Sequence, residues 1–140
     1  MSIRTFALVY GIVFLVVGAG GFIPGLLAPP HTHPDLSVNT GFGHLMGLFP
    51  VNLLHNIVHL LFGAWGVAAY RGLGGARTYA QGVAIIYAVL AVAGIIPGLS
   101  TTFGLIPLFG HDIWLHAVLA AVAAYFGFMH RESEVTGART

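Results

Sequence analysis

Four apolar runs constrain this chain more than anything else in it: about Thr5–Ile23, Asn52–Tyr70, Thr78–Ile96 and His111–Met129. A helix rises 1.5 Å per residue, so roughly 20 apolar residues carry it across the hydrocarbon core of a bilayer. Each run reaches that length. The rest of the composition agrees, with 57% of the 140 residues apolar and 6% charged, where a soluble domain carries about 25% charged residues. The expected fold is all-α: one integral membrane domain over residues 1–140, folded as a four-helix transmembrane bundle. The first run is expected to stay as a span rather than act as a leader. Its only preceding charge is Arg4, it exceeds a leader's apolar length, and no A-x-A site follows it.

Pro24-Gly25 and Pro97-Gly98 close the first and third runs, and Pro29-Pro30 prevents the first from resuming. The loop from Leu27 to Val51 is long, and its apolar second half, Gly41–Phe49, is expected to form a short interfacial or re-entrant helix. The segment Arg71–Arg77, rich in glycine, reads as a tight turn. All five cations are arginines, Arg4, Arg71, Arg77, Arg131 and Arg139, and four spans would put them all on one side. The positive-inside rule makes that side cytoplasmic, with both termini in it. A net charge of +1 gives no case for nucleic acid as a partner. Cysteine is absent, which removes disulfides and thiolate metal sites.

Two short phrases occur twice and in the same order. Gly21-Phe-Ile-Pro-Gly-Leu26 returns as Gly94-Ile-Ile-Pro-Gly-Leu99, and Gly47-Leu-Phe-Pro50 returns as Gly104-Leu-Ile-Pro107. Extending the second match without a gap lays His59 on His116 and His55 on Asp112. The chain therefore reads as one helical hairpin written twice, as parallel repeats about an axis along the membrane normal. Such an axis brings the second and fourth spans to equivalent places.

Those two spans carry the polar residues. At 100° per residue, Asn52, His55, Asn56 and His59 share one face of a helix, and Gly63 and Gly66 continue it. In lipid such a face must point at protein, water or a ligand. His55 and His59 are four residues apart, as are Asp112 and His116, so each pair sits on one face about 6 Å apart along its axis. Three imidazoles and a carboxylate suit a transition metal, zinc or copper ahead of iron. Neutral imidazole and ionised carboxylate bind a divalent ion near neutral pH, and the ion offsets the cost of burying Asp112. The expected ligands are His55, His59, Asp112 and His116. Asn52 and Asn56 are placed to hydrogen-bond the ligands from behind. His31, His33 and His44 in the long loop are accessory candidates, while His111 lies about 140° from His116 around the helix and is left out.

The phrase His55-Asn56-x-x-His59, followed by an apolar run containing glycine, resembles the bacterial membrane family called domain of unknown function 4383. Asp112-x-x-x-His116 resembles that family's matching segment, which usually reads D-N-x-x-H and has Ile113 here in place of the asparagine. The resemblance extends over all four spans. It implies a four-span bundle and implies no chemistry.

Three other functions compete with metal binding. Buried His and Asn hydrogen-bond across membrane helices at a gain of roughly 0.6–2 kcal/mol per contact, so the polar cluster of a structural or accessory subunit would serve only to fix helix packing. Non-covalent heme b needs two axial histidines, such as His59 and His116, and a slot opened by glycines. Proton or solute conduction needs polar groups along a whole path, and below His59 the face offers only Gly63 and Gly66. No nucleophile–base pair, phosphate loop or paired glutamate is present, so the balance leans away from an enzyme. Lipid is the expected surrounding partner, with a homo-oligomer or larger membrane complex left open.

Overall fold

The computed structural model describes residues 1–30 and 34–131. Four α-helices dominate: α1 (Ile3–Gly20), α2 (Leu53–Ala69), α3 (Leu73–Ile95) and α4 (His111–Ala124). A wider π turn, Tyr125–Met129, extends α4, and its last bond runs from the His130 N–H to the Tyr125 carbonyl at 2.8 Å. With that extension, three helices are long and apolar enough to cross a membrane: Ile3–Gly20, Leu73–Ile95 and His111–Met129. The 17 residues of α2 are equally apolar. At 1.5 Å per residue they span about 25 Å, slightly under the roughly 30 Å hydrocarbon core.

Large apolar side chains point outward: Val9, Ile12 and Val16 on α1, Ile85 and Val89 on α3, Val118 on α4. The polar residues Asn52, His55, Asn56, His59, Asp112 and His116 are buried instead. An exposed apolar surface this extensive is what a membrane protein presents to lipid.

The helices associate as two pairs, α1 on α2 and α3 on α4; α1 also touches α3, and α2 meets α3 only lightly. Glycine makes the first pair tight. A Cβ on Gly11 would lie 2.7 Å from the Val67 nitrogen and 2.9 Å from the Gly63 carbonyl oxygen, and one on Gly66 would lie 2.7 Å from Gly11 Cα. The two backbones therefore cross where neither carries a side chain. The small face at Gly63 and Gly66 is filled by α1 and leaves no slot there. An aromatic core joins the pairs, with Phe6 centred 6.4 Å from Tyr79 and 4.7 Å from Phe126.

Arg4, Arg71 and Arg77 gather at one end. Arg4 Nε donates to the Tyr70 carbonyl at 2.8 Å and its guanidinium lies over the Tyr70 ring. Arg77 donates to the carbonyls of Gly127 and His130. The start of α1, the α2–α3 turn and the end of the π turn are thus held together.

The chain is mostly helical, and its other end adds a small three-stranded antiparallel sheet that the expected all-α fold did not include. Its strands are β1 (Leu27–Ala28), β2 (Gly43–Leu45) and β3 (Phe49–Val51), in the order β1-β2-β3. The segment Gly41–Phe49 is therefore no re-entrant helix. Positive φ at Gly41, Met46 and Gly47 breaks any helix there and turns β2 back onto β3, with Leu45 opposite Phe49. The second outer loop copies this turn without strands. Phe103 and Gly104 repeat the positive φ of Met46 and Gly47, and the Leu105 N–H to Thr102 carbonyl bond repeats that from Leu48 to Leu45. The bond from the Leu108 N–H to the Ser100 carbonyl stands where Val51 pairs with Gly43. Arg71–Arg77 also departs from expectation, since α3 begins at Leu73 and only the residues before it turn.

Candidate metal centre

The start of α2 fixes the first half of the site. Asn52 is its N-cap, and the Asn52 Oδ1 accepts the His55 N–H at 2.9 Å. The Asn52 Nδ2 donates at 2.8 Å to the Val38 carbonyl and at 2.7 Å to the Leu105 carbonyl. A fully buried asparagine thus ties the helix start to both outer loops. Pro50, in the middle of β3, offers its carbonyl to His55 Nδ1 at 3.1 Å. That bond makes Nδ1 the protonated nitrogen and leaves Nε2 with its lone pair facing inward.

His55 Nε2 faces α4. Asp112, in the first turn of that helix, puts Oδ2 at 3.7 Å from it, too far for a hydrogen bond. Asp112 Oδ2 has no hydrogen-bond partner, and neither has the Nδ1 of His116 one turn on. All three residues are buried, and one ligand atom from each of His55, Asp112 and His116 lies within 4.8 Å of the others. Two ligands bonded at about 2.1 Å to a tetrahedral ion stand about 3.4 Å apart. The His55–Asp112 gap is already near that separation, and the widest pair needs to close by about an ångström, within reach of side-chain rotation.

His59 stands beside this group. Its ring stacks on His55 with centroids 4.5 Å apart and on Phe14 at 5.8 Å, and its Nδ1 has no hydrogen-bond partner. Tyr87, on α3, packs its ring 4.9 Å from His116. His55, His59, His116 and Tyr87 together line one side of a cavity of about 160 Å³, whose other walls are mainly apolar.

The remaining candidates fall elsewhere. Asn56 is buried with Oδ1 unpartnered and lies against Gly21, where any Cβ would collide with its amide. His44 is buried in β2, 6.0 Å from the Phe42 ring, and is no member of the three-residue group. His31 and His33 lie outside the described residues. His111 is exposed and its Nδ1 accepts from Trp114 Nε1. Two contributors escaped the sequence: the Pro50 carbonyl, a backbone group that any residue supplies, and Tyr87, one of two tyrosines in an apolar run.

The family model described as "Domain of unknown function (DUF4383)" matches residues 4–129, nearly the whole chain and all of the site. No curated protein and no solved structure matches the chain.

Proposed function

From the premise that the chain belongs to the family of domain of unknown function 4383, whose description assigns no chemistry, we propose that it is a membrane protein that binds one transition-metal ion at His55, Asp112 and His116. His59, expected as a fourth ligand, stands beside them in reserve. The observation that carries the proposal is the convergence of those three residues, from two helix pairs, with one ligand atom of each within 4.8 Å of the others in a buried site where Asp112 Oδ2 has no hydrogen-bond partner. An unpaired buried polar atom costs about 1–3 kcal/mol, and a metal ion bound by Asp112 would remove that cost. Zinc or copper fits two imidazoles and a carboxylate. A macrocycle does not fit the site so well, because 160 Å³ is below even the roughly 300–1,000 Å³ of pockets for drug-sized ligands.

The topology we propose around the site is four spans in two parallel hairpin repeats. The matching outer turns at Met46-Gly47 and Phe103-Gly104 support the repeat. The gathering of Arg4, Arg71 and Arg77 at one end supports cytoplasmic termini in a bacterial inner membrane. The site then lies in the outer half of the bundle. In the competing function, His55 and Asp112 simply hold the two helix pairs in register across their 3.7 Å gap.

Elemental analysis separates the two. Protein purified without a histidine tag or chelator should carry a full equivalent of one metal and lose it in a His55→Ala, His116→Ala double variant. Metal-free protein of normal stability that takes up no added zinc or copper supports the register function instead. A Soret band would transfer the site to heme.

A further inference from the structure

The cavity beside the histidines differs from its polar wall in chemistry. Val58, Phe62, Ile86, Leu90, Ile106 and Leu108 form the rest of it, apart from Thr102 and Tyr87. The Thr102 hydroxyl already donates to the Ile106 carbonyl. At about 160 Å³ the cavity matches the apolar cavities of roughly 150 Å³ that stay dry and accept xenon or benzene. Such walls return no hydrogen bond to an ion or a polar solute, whose desolvation would go uncompensated.

Its position is equally particular. It lies in the seam between α2 and α3, which pack far less closely than the pairs α1–α2 and α3–α4. Ile86 is 40% exposed, and Val58, Phe62 and Leu90 are half-buried. The outer wall of the cavity is therefore a single layer of side chains that also faces the surroundings, which in a bilayer are hydrocarbon. His59 and His116, more than nine-tenths buried, line the inner wall and keep ring nitrogens that no protein group satisfies.

We propose that this cavity is the ligand chamber of the metal site, and that it admits a neutral diatomic gas from the lipid through the α2–α3 seam to a coordination position left open by His55, Asp112 and His116. The proposal rests on the metal reading above. A centre with three protein ligands keeps such a position, as catalytic and gas-binding sites do and closed structural sites do not. The chamber selects by charge and size: uncharged molecules soluble in hydrocarbon enter, and anions and hydrated solutes are left out.

The test uses the full chain in lipid nanodiscs, with copper(I) as the metal and carbon monoxide as the probe. Metal content is measured first on the same sample. Copper-loaded protein should show the infrared stretch of one bound carbon monoxide per metal. Filling the chamber with Val58→Phe and Leu90→Phe should leave copper content intact and weaken carbon monoxide binding at least tenfold. Ile86→Trp should slow rebinding after photolysis. Metal-free wild-type protein should bind xenon saturably, by ¹²⁹Xe chemical shift. Full copper content with no carbon monoxide band, or a band indifferent to the filled chamber, overturns the proposal while sparing the metal site. Absent saturable xenon binding overturns the chamber whatever the metal does. Rebinding indifferent to Ile86→Trp overturns entry through the seam. Failure to take up any metal overturns the metal reading itself, and this proposal with it.

Discussion

At the scale of single residues, Asn52 has the most to lose. Its carbonyl oxygen caps α2 and its amide holds the Val38 and Leu105 carbonyls. Asn52→Ala forfeits a cap worth about 0.5–2 kcal/mol and strands two carbonyls at roughly 1–3 kcal/mol each where they stay dry. Denaturant unfolding in detergent, followed by circular dichroism, should show a loss of several kcal/mol. Asn52→Asp keeps the acceptor for the His55 N–H and loses only the donors, so it should fall between wild type and alanine. Equal stability of all three would remove Asn52 from the account. Asp112→Asn keeps the size of the side chain and removes the anionic oxygen. It should weaken zinc binding by at least about 10–100-fold, the loss typical even of groups that merely orient a ligand. Competition against a chelating dye measures this, and an affinity within twofold of wild type would exclude Asp112 as a ligand.

At the scale of elements, the glycine crossing makes its own prediction. Gly11→Val places a branched side chain against the Val67 nitrogen and the Gly63 carbonyl, backbone atoms that do not move aside. Overpacking of this kind costs about 1–3 kcal/mol or more, and α1 should separate from α2 at lower denaturant than in wild type. Gly74→Ala, where a Cβ meets nothing within 4 Å, should leave that midpoint unchanged. If both substitutions behave alike, the close crossing is not what holds the pair. The helices were legible in the sequence because apolar length and Pro-Gly breaks are strong signals in a membrane chain. The start of α3 was not, because three glycines within Arg71–Arg77 argue against a helix on propensity alone. Packing wins there: Ala76 is fully buried and its N–H bonds the Gly72 carbonyl. The sheet was hidden for another reason. Gly43, His44 and Leu45 are all buried, so β2 shows none of the alternation by which a strand is recognised. His55, Asp112 and His116 were found by helical spacing and the repeated phrases. That His59 stands beside them rather than among them depends on ring rotamers, which spacing does not determine.

At the scale of the whole molecule, sidedness can be read directly. Single cysteines at the exposed positions Ser37 and Gly74 sit at opposite ends. With a membrane-impermeant thiol reagent on intact cells, only Ser37→Cys should label, and labelling of Gly74→Cys would invert the topology. The two ends also differ mechanically. Where the arginines gather, Phe6, Tyr79 and Phe126 bind one helix pair to the other. At the far end the pairs meet through Asn52 with Leu105, through the Ser37 and Val38 N–H groups on the Gly104 carbonyl, through Phe49 against Trp114, and across the open gap from His55 to Asp112. Two arms joined by rings at one end and by loop hydrogen bonds at the other make a pair of tweezers already drawn together, and the candidate ligands sit near the tips, one on one arm and two on the other. An ion held there is a clasp. Spin labels at Met46 and Phe103, exposed on the two outer turns, should report it as a narrower distance distribution with zinc than without. A width that zinc leaves unchanged would mean that the tips close with no clasp at all.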